Sequence, residues 1–242
     1  MKIDRVIFCL NENPLYADFW NIVSRVWAEV YKVTPTLAFV GPKSSIKKLN
    51  LSEEYGEIYQ IDPTKTNDKW EVTWSFFYLP TLFPDDVCMT SGIDQLPLGN
   101  TLFLDAVSKV EGDKFFVGFG DAYGNSQRYP SSHLVGKGRV FKEIFSIGDS
   151  FDAEIKKIRR HFSNNPRWGA DEIYAGPFLR RNSKVVFADF FPTWAKKRLC
   201  RSKNLQYDLE GLKNKRYSEG HLPRPYRKHK EYIDKLVEDV LK

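Results

Sequence analysis

The beginning of the chain alternates a strand pattern, a helix pattern and a second strand pattern. Residues 6–10 form a short apolar run that ends at a turn cluster of Asn and Pro, residues 11–14. Across residues 16–31 the apolar side chains recur at the spacing of one helix face, and residues 36–40 are again apolar. Two parallel strands joined by a helix require this order, so the sequence predicts an α/β fold that begins with a βαβ unit.

Strand and helix patterns continue along the remainder of the chain. Residues 102–110 fit either a helix or extended chain. The other predicted strands cover residues 57–61, 87–90, 115–120, 133–136 and 184–189, and the other predicted helices cover residues 70–83, 140–145, 151–162, a short segment opening at 168–172, and 228–241. We find no internal repeat and no linker composition. The patterns favour one domain over residues 1–242, with a mostly parallel central sheet flanked by helices.

Charge and composition narrow the class of partner. The 242 residues carry a formal net charge of +6, and most of the clustered basic residues lie after residue 155. A basic surface favours anionic partners such as phosphates, nucleic acid or anionic lipid, although a solvated basic face is the plain alternative. The aromatic content of 15% is high and predicts a ring-rich core, with the option of a pocket that stacks a planar ligand.

The cysteines and the apolar runs indicate a compartment. The chain has three cysteines, Cys9, Cys88 and Cys200, which are far apart and lack metal-ligand spacing. They are interpreted as reduced thiols. No signal-peptide pattern and no apolar stretch of membrane-spanning length is present, so we expect a soluble, intracellular, cytoplasmic protein with no transmembrane segment.

One acidic residue follows a buried strand pattern. The run at residues 87–90 is followed by Ser91, Gly92, Ile93 and Asp94. Ligands of open α/β sheets bind outside the carboxyl ends of the strands, so Asp94 is placed where a carboxylate can meet a cation and substrate phosphates. The alternative is a solvated aspartate in a strand-to-loop turn.

Four segments together resemble a known family. They are the first strand ending at Asn11, the residues from Ser91 to Asp94, the segment 168–172 that opens a helix with two acids, and the segment 221–226. In this order the chain resembles the GT-A-type glycosyltransferases, which transfer a sugar from a nucleotide-sugar donor. The second segment is similar to the family's metal-binding DxD motif. The resemblance covers nearly the whole chain and implies a donor-binding half over residues 1–110 and an acceptor-side half over residues 111–242.

The resemblance implies a divalent metal ion, Mn²⁺ or Mg²⁺, with Asp94 and His221 as its ligands. Such a cation stabilises the charge that develops on a diphosphate leaving group. A surface imidazole is the alternative for His221. The chain departs from the pattern at Gly92, which stands where the motif has its first acid. This departure makes a catalytically weak sugar- or nucleotide-binding relative an alternative function.

On the donor side, the resemblance implies a UDP- or GDP-sugar. The candidate contacts are Asn11, Ser91, Gly92, Ile93, Trp74, Arg198 and Arg201. The two arginines are assigned to the diphosphate, because a guanidinium pairs well with phosphate oxygens. Asn11 is equally well explained as a turn-forming residue, and Trp74 as a core residue.

On the acceptor side, a glycan or other hydroxyl compound is expected. Asp171 is the candidate general base, which would give inversion at the anomeric carbon, and Trp168, Glu172 and Tyr123 are candidate acceptor contacts. The alternative is that Asp171 and Glu172 only favour the positive end of a helix.

Two rival classes remain to be distinguished. A nucleic-acid-binding protein would explain the basic charge, but the sequence lacks a helix-turn-helix, zinc or RNA-recognition signature, so we expect no nucleic-acid partner. A nucleotidyltransferase would require a glycine-rich, lysine-bearing phosphate loop near the first strand, which residues 11–16 do not supply.

Overall fold

The protein is described by a computed structural model that covers residues 1–64, 70–99, 101–124, 128–167, 169–201 and 205–242. Strands and helices alternate over most of this length. The strands are β1 (Arg5–Leu10), β2 (Thr34–Val40), β3 (Glu57–Ile61), β4 (Val87–Thr90), β5 (Gln95–Pro97), β6 (Phe115–Val117), β7 (Leu134–Lys137), β8 (Val185–Phe187) and β9 (Glu219–His221).

The helices are mostly short. They are α1 (Pro14–Ala17), α2 (Trp20–Val26, continued by a π-helical turn at Trp27–Tyr31), α3 (Lys43–Lys48), α4 (Glu71–Tyr78, continued by a 3₁₀ turn at Leu79–Leu82), α5 (Leu102–Ser108), α6 (Gly138–Ile144), α7 (Phe151–His161), α8 (Ala170–Arg181), α9 (Phe191–Lys197), α10 (Leu209–Lys213) and α11 (Lys230–Leu241), with a 3₁₀ turn at Tyr226–Lys228. Among the helices of the described ranges, none combines the length and the apolar character that a membrane span requires.

The central sheet has the strand order β3-β2-β1-β4-β7-β6-β8. Strands β3, β2, β1 and β4 are parallel, β7 runs antiparallel between β4 and β6, and β8 is parallel to β6. Strand β2 pairs with one edge of β1, and β4 pairs with the other edge, so the connections on the two sides of β1 run in opposite directions. In open α/β sheets such a reversal opens a crevice at the carboxyl ends of the two strands. The amide of Ser91 donates to the carbonyl of Ile7 at 2.9 Å, so the segment after β4 lies against the end of β1.

The core has two parts, because β1 contributes alternate side chains to two buried clusters. Val6, Phe8 and Leu10 pack in a cluster that also contains buried residues of α2 and α11. Ile7 packs in a second cluster that contains buried residues of α4, α6 and α7. A strand that is buried on both faces has a continuous apolar sequence, and for this reason the first strand could be predicted from the sequence.

The expected α/β class, with a mostly parallel central sheet flanked by helices, is confirmed. The strands expected at residues 57–61 and 87–90 have these bounds in the structure. The single helix expected over residues 16–31 is instead divided into α1, α2 and the π-helical turn. The small sheet formed by β5 and β9 was not expected, and it builds the candidate site.

Candidate functional site

The small sheet brings two distant parts of the chain together. Strand β5 pairs antiparallel with β9, and Gln95 lies opposite His221. Immediately before β5, the carbonyl of Asp94 accepts a hydrogen bond from the amide of Leu222 at 2.8 Å. The backbone therefore fixes Asp94 beside His221 at the carboxyl end of β4.

Three nitrogen-bearing side chains surround one carboxylate oxygen. Oδ2 of Asp94 lies 3.3 Å from Nε2 of His221, 3.3 Å from Nη1 of Arg201 and 3.6 Å from Nε of Arg224. Asp94 itself is buried, with 8% of its surface exposed. The structure thus brings together three of the four residues that the sequence assigned to the metal and the diphosphate, namely Asp94, His221 and Arg201. It adds Arg224, which sequence reasoning missed.

Arg224 links this cluster to the loop after β1. Its guanidinium carbon lies 4.7 Å from the centre of the Tyr16 ring in α1, a cation–π distance. Burial lowers the pKa of Arg224 from its ordinary value, but an arginine remains protonated at neutral pH. Arg224 lies within the segment 221–226 that was singled out for His221. Its position between Pro223 and Pro225 is the sequence feature that could have marked it as a site residue.

Asn11 has the turn-forming role that the sequence left open. Its Oδ1 accepts from the backbone amide of Asn13 at 3.1 Å, and Oδ1 of Asn13 accepts from the amide of Leu15 at 3.1 Å, which caps α1. These bonds shape the loop that carries Tyr16 toward Arg224. A contact of Asn11 with a donor stays a prediction.

The side-chain amide of Gln95 lies against Gly92, where the DxD motif has its first acid. The backbone amide of Gly92 donates to Oε1 of Gln95 at 2.8 Å, and a β-carbon added to Gly92 would lie 2.9 Å from Cδ of Gln95. A carboxylate at position 92 would therefore require Gln95 to move. The neighbouring Ser91 and Ile93 are buried, with 2% and 5% exposure. Sequence reasoning missed Gln95 because nothing local marks a glutamine that folds back three residues.

Arg198 forms an ion pair with Glu219 and not with Asp94. Its Nε is 2.7 Å from Oε1 of Glu219, and Oε2 of Glu219 is 3.5 Å from Nε2 of His133. Glu219 and His133 are both buried and line a partly open pocket of about 20 Å³, which also touches Ser91 and is large enough for about one water molecule. Arg198 and Arg201, which the sequence had grouped at the diphosphate, thus pair with different carboxylates. A contact of Arg198 with a diphosphate stays a prediction.

Buried His133 predicts a dependence of stability on pH. Burial lowers its pKa from 6.5 to about 4; the charge of Glu219 opposes this shift and that of Arg198 adds to it. Because the folded pKa is the lower one, neutral His133 contributes stability above pH 6.5, and this contribution is lost as the pH falls toward 4. At about 1.4 kcal/mol per pKa unit, the loss is about 3 kcal/mol.

The His133→Asn variant tests this dependence, since asparagine tolerates the positive φ of 62° at this position. Urea unfolding at pH 7 and at pH 4 should show that the variant loses about 3 kcal/mol less over this interval than the parent chain. An equal loss in both proteins would show that His133 does not titrate as a buried neutral group.

The two acids at the start of α8 have different surroundings. Asp171 is 3% exposed, its Oδ2 accepts from Oγ of Ser131 at 2.5 Å, and burial raises its pKa above the usual value. Glu172 lies 2.5 Å from Nε of Arg128 and 3.4 Å from the hydroxyl of Tyr123, and burial followed by the charge of Asp171 raises its pKa. The two candidate acceptor contacts, Glu172 and Tyr123, are thus neighbours. Trp168 lies outside the described residues.

Cys9, near the end of β1, is influenced by the charges of both Asp94 and Asp171. Burial raises the pKa of its thiol well above the ordinary value, and the negative charges of Asp171 and Asp94 raise it further. Both carboxylates therefore lie within electrostatic reach of Cys9. Asp171 is also linked to the end of β4 through Ser131, which donates to its carboxylate. Ser131 is two residues before His133, and the backbone amide of His133 donates to the carbonyl of Thr90 at 2.7 Å.

Trp74 lies in the core rather than at a surface. It is 0% exposed and packs in the second cluster against the rings of Phe77, Tyr174 and Phe145, at 4.8, 5.4 and 6.4 Å between centres. A side chain without exposed surface has none to offer to a base or ribose. The core alternative for Trp74 accounts for these contacts.

The side chains around Asp94 do not fit a metal ion held by the protein alone. Over the described ranges, no group of three or more His, Cys, Asp or Glu side chains is arranged to hold one, and Asp94 with His221 supplies two. Two guanidinium groups also approach the oxygen that would bind the ion, and their positive charge opposes a cation there. The expected Mn²⁺ or Mg²⁺ stays a prediction.

Two solved structures share this architecture. The crystal structure of the glycosyltransferase GlyE from Streptococcus pneumoniae TIGR4 matches with a TM-score of 0.55 over 100% of this chain, at 11% sequence identity. The apo form of the same glycosyltransferase matches with a TM-score of 0.54, also over 100% of this chain, at 12% identity. This chain spans 62% of the length of each. No family model and no curated protein sequence matches. The similarity shows that the chain has a glycosyltransferase-like fold.

Proposed function

We propose that this protein transfers a sugar from a nucleotide-diphosphate sugar to a hydroxyl group of a glycan or other acceptor. The observation that carries the proposal is the meeting of Arg201, Arg224 and His221 on Asp94 at the carboxyl ends of β1 and β4. This edge is where open α/β sheets bind ligands, and the fold around it is shared with a glycosyltransferase.

The proposed reaction needs positive charge at one place and a proton acceptor at another. The acceptor oxygen attacks the anomeric carbon, and the bond from that carbon to the diphosphate oxygen breaks with its electron pair on the diphosphate. Guanidinium groups stabilise the charge that develops there. The acceptor hydroxyl loses its proton, and we assign the role of proton acceptor to Asp171, whose charge, like that of Asp94, acts on the thiol of Cys9.

Acceptor contacts are proposed at the neighbouring polar group of Glu172, Arg128 and Tyr123. Tyr123 is 41% exposed and its ring lies 4.5 Å from the guanidinium carbon of Arg128. An exposed tyrosine, a guanidinium and a carboxylate provide a ring face together with hydrogen-bond donors and acceptors. These are the groups that a polyhydroxylated acceptor requires.

Thermal unfolding with added nucleotides tests the proposal. UDP or GDP at 100 times its dissociation constant should stabilise the fold by about 2.7 kcal/mol and raise Tm by several degrees. The matched control is UMP or GMP, which lacks the second phosphate and should have a much smaller effect. Incubation with UDP- and GDP-sugars should then release the nucleoside diphosphate, and should do so faster with acceptor present.

Other outcomes identify the rival functions. Stabilisation by nucleoside diphosphates without release from any nucleotide sugar would support the catalytically weak relative, for which the glycine at position 92 is the motivating feature. Stabilisation by oligonucleotides and not by nucleoside diphosphates would contradict sugar transfer and support nucleic-acid binding.

A further inference from the structure

We propose that Arg201 and Arg224 receive the diphosphate of the donor without a metal ion, and that Asp94 is the carboxylate that holds these two arginines in position. The inference rests on the proposed function and deepens it, because it assigns the charge-stabilising groups of the same site. It gives Asp94 a positioning role in place of metal coordination.

The first support is convergence on one atom. Nη1 of Arg201 and Nε of Arg224 approach Oδ2 of Asp94 at 3.3 and 3.6 Å, although the two arginines belong to different segments of the chain. A guanidinium carries five N–H donors, so one contact with a carboxylate leaves capacity for phosphate oxygens. The two side chains are 34% and 27% exposed, which makes them reachable by a ligand.

The second support is the way in which Arg224 is held. Its guanidinium lies over the ring of Tyr16, in the loop that leaves β1. A guanidinium that is stacked on a ring and faces a carboxylate loses less conformational freedom when it binds an anion, because it is already ordered. Arg224 is therefore prepared for a phosphate group at the end of β1, where the carboxyl edge of the sheet opens.

The third support is the local charge. Arg201 and Arg224 carry two positive charges and Asp94 one negative charge, so the three side chains sum to +1. A divalent cation would add to this positive charge, whereas a diphosphate would offset it. Position 92 contributes no second carboxylate to change the balance, because it is a glycine, and its backbone amide donates to Oε1 of Gln95.

As the sugar–phosphate bond breaks, charge accumulates on the diphosphate, and the arginine N–H donors stabilise that charge without being consumed. Both electrons of the broken bond remain on the leaving oxygen, and no oxidant or reductant takes part. In this scheme, the two arginines supply the electrostatic stabilisation that a metal ion supplies in the resembled family.

Binding of UDP, GDP and inorganic pyrophosphate, measured by calorimetry in excess EDTA, tests the inference. We expect UDP or GDP to bind with EDTA present, pyrophosphate to bind more weakly, and Arg201→Gln and Arg224→Gln each to weaken nucleotide binding by at least about tenfold. The control is Arg139→Gln: Arg139 is 41% exposed and pairs with Asp85 and Asp113, near the opposite, amino end of β4. This variant should bind as the parent protein does.

The Asp94→Asn variant separates the two roles of Asp94 by the sign of its effect. If Asp94 only positions the arginines, asparagine still offers them an acceptor oxygen and keeps them in place. Its neutrality removes a negative charge that competes with the diphosphate, so UDP or GDP binds several-fold more tightly in EDTA. If Asp94 is a metal ligand, Mn²⁺-supported binding is lost. Circular dichroism and Tm establish that each variant is folded before its affinity is compared.

The remaining outcomes overturn the inference in distinguishable ways. Nucleotide binding that requires Mn²⁺ and disappears in EDTA would overturn it and leave the proposed sugar transfer intact. Failure of UDP and GDP to bind with or without Mn²⁺ would overturn both.

Discussion

Replacing Asp171 by asparagine should reduce turnover by about 10²–10⁴-fold, with a much smaller change in donor affinity, because the reaction loses its proton acceptor. Asparagine keeps the size of the side chain and can still accept from Ser131. The measurement is steady-state kinetics with the donor and acceptor varied separately, at matched fractions of folded protein.

The pH profile gives a second measure of the same role. Burial raises the pKa of Asp171, so the ionised base forms at higher pH than for an exposed aspartate. Turnover should therefore rise with pH through this raised pKa, and the Asp171→Asn variant should lack this limb.

The neighbouring Glu172→Gln change is the matched control, since Glu172 lies in the same helical turn and pairs with Arg128. We expect it to raise the KM for the acceptor more than it lowers kcat, because it alters a contact and not the base. If Asp171→Asn instead lowers stability and leaves kcat unchanged, Asp171 serves only the start of α8.

Replacing Trp74 by alanine should lower the free energy of unfolding by about 3–5 kcal/mol and leave the donor affinity of the folded protein unchanged. The reason is that Trp74 is fully buried against three aromatic rings, and its removal leaves a cavity that the surrounding rings refill only in part. Urea unfolding gives the stability, and calorimetry with UDP and GDP gives the affinity.

Phe191→Ala is the comparison for Trp74, because Phe191 is also aromatic but is 37% exposed. Its loss should cost about 1 kcal/mol or less, since it buries less apolar surface. A Trp74→Ala protein of normal stability that no longer binds the donor would contradict the core assignment and restore the donor contact predicted from sequence.

Much of the site depended on contacts that local sequence does not encode. Asp94 was identifiable because it follows the apolar strand β4, and His221 because of the segment that it begins. Their distance of 3.3 Å depends on the pairing of two three-residue strands, β5 and β9. Strands this short carry no reliable period-2 pattern, so the sequence did not indicate the small sheet. The bond between Gln95 and Gly92 and the contact of Arg224 with Asp94 were seen only in the structure.

The sequence by itself determined the α/β class and the positions of the longer elements, because buried strands and amphipathic helices leave patterns within a few consecutive residues. Only the tertiary structure decided that β7 enters the sheet antiparallel between β4 and β6, that Trp74 belongs to the core, and that Arg224 joins Arg201 at Asp94. These are contacts between segments far apart in the chain. Their formation is decided by packing and charge complementarity across the whole fold, which no local pattern records.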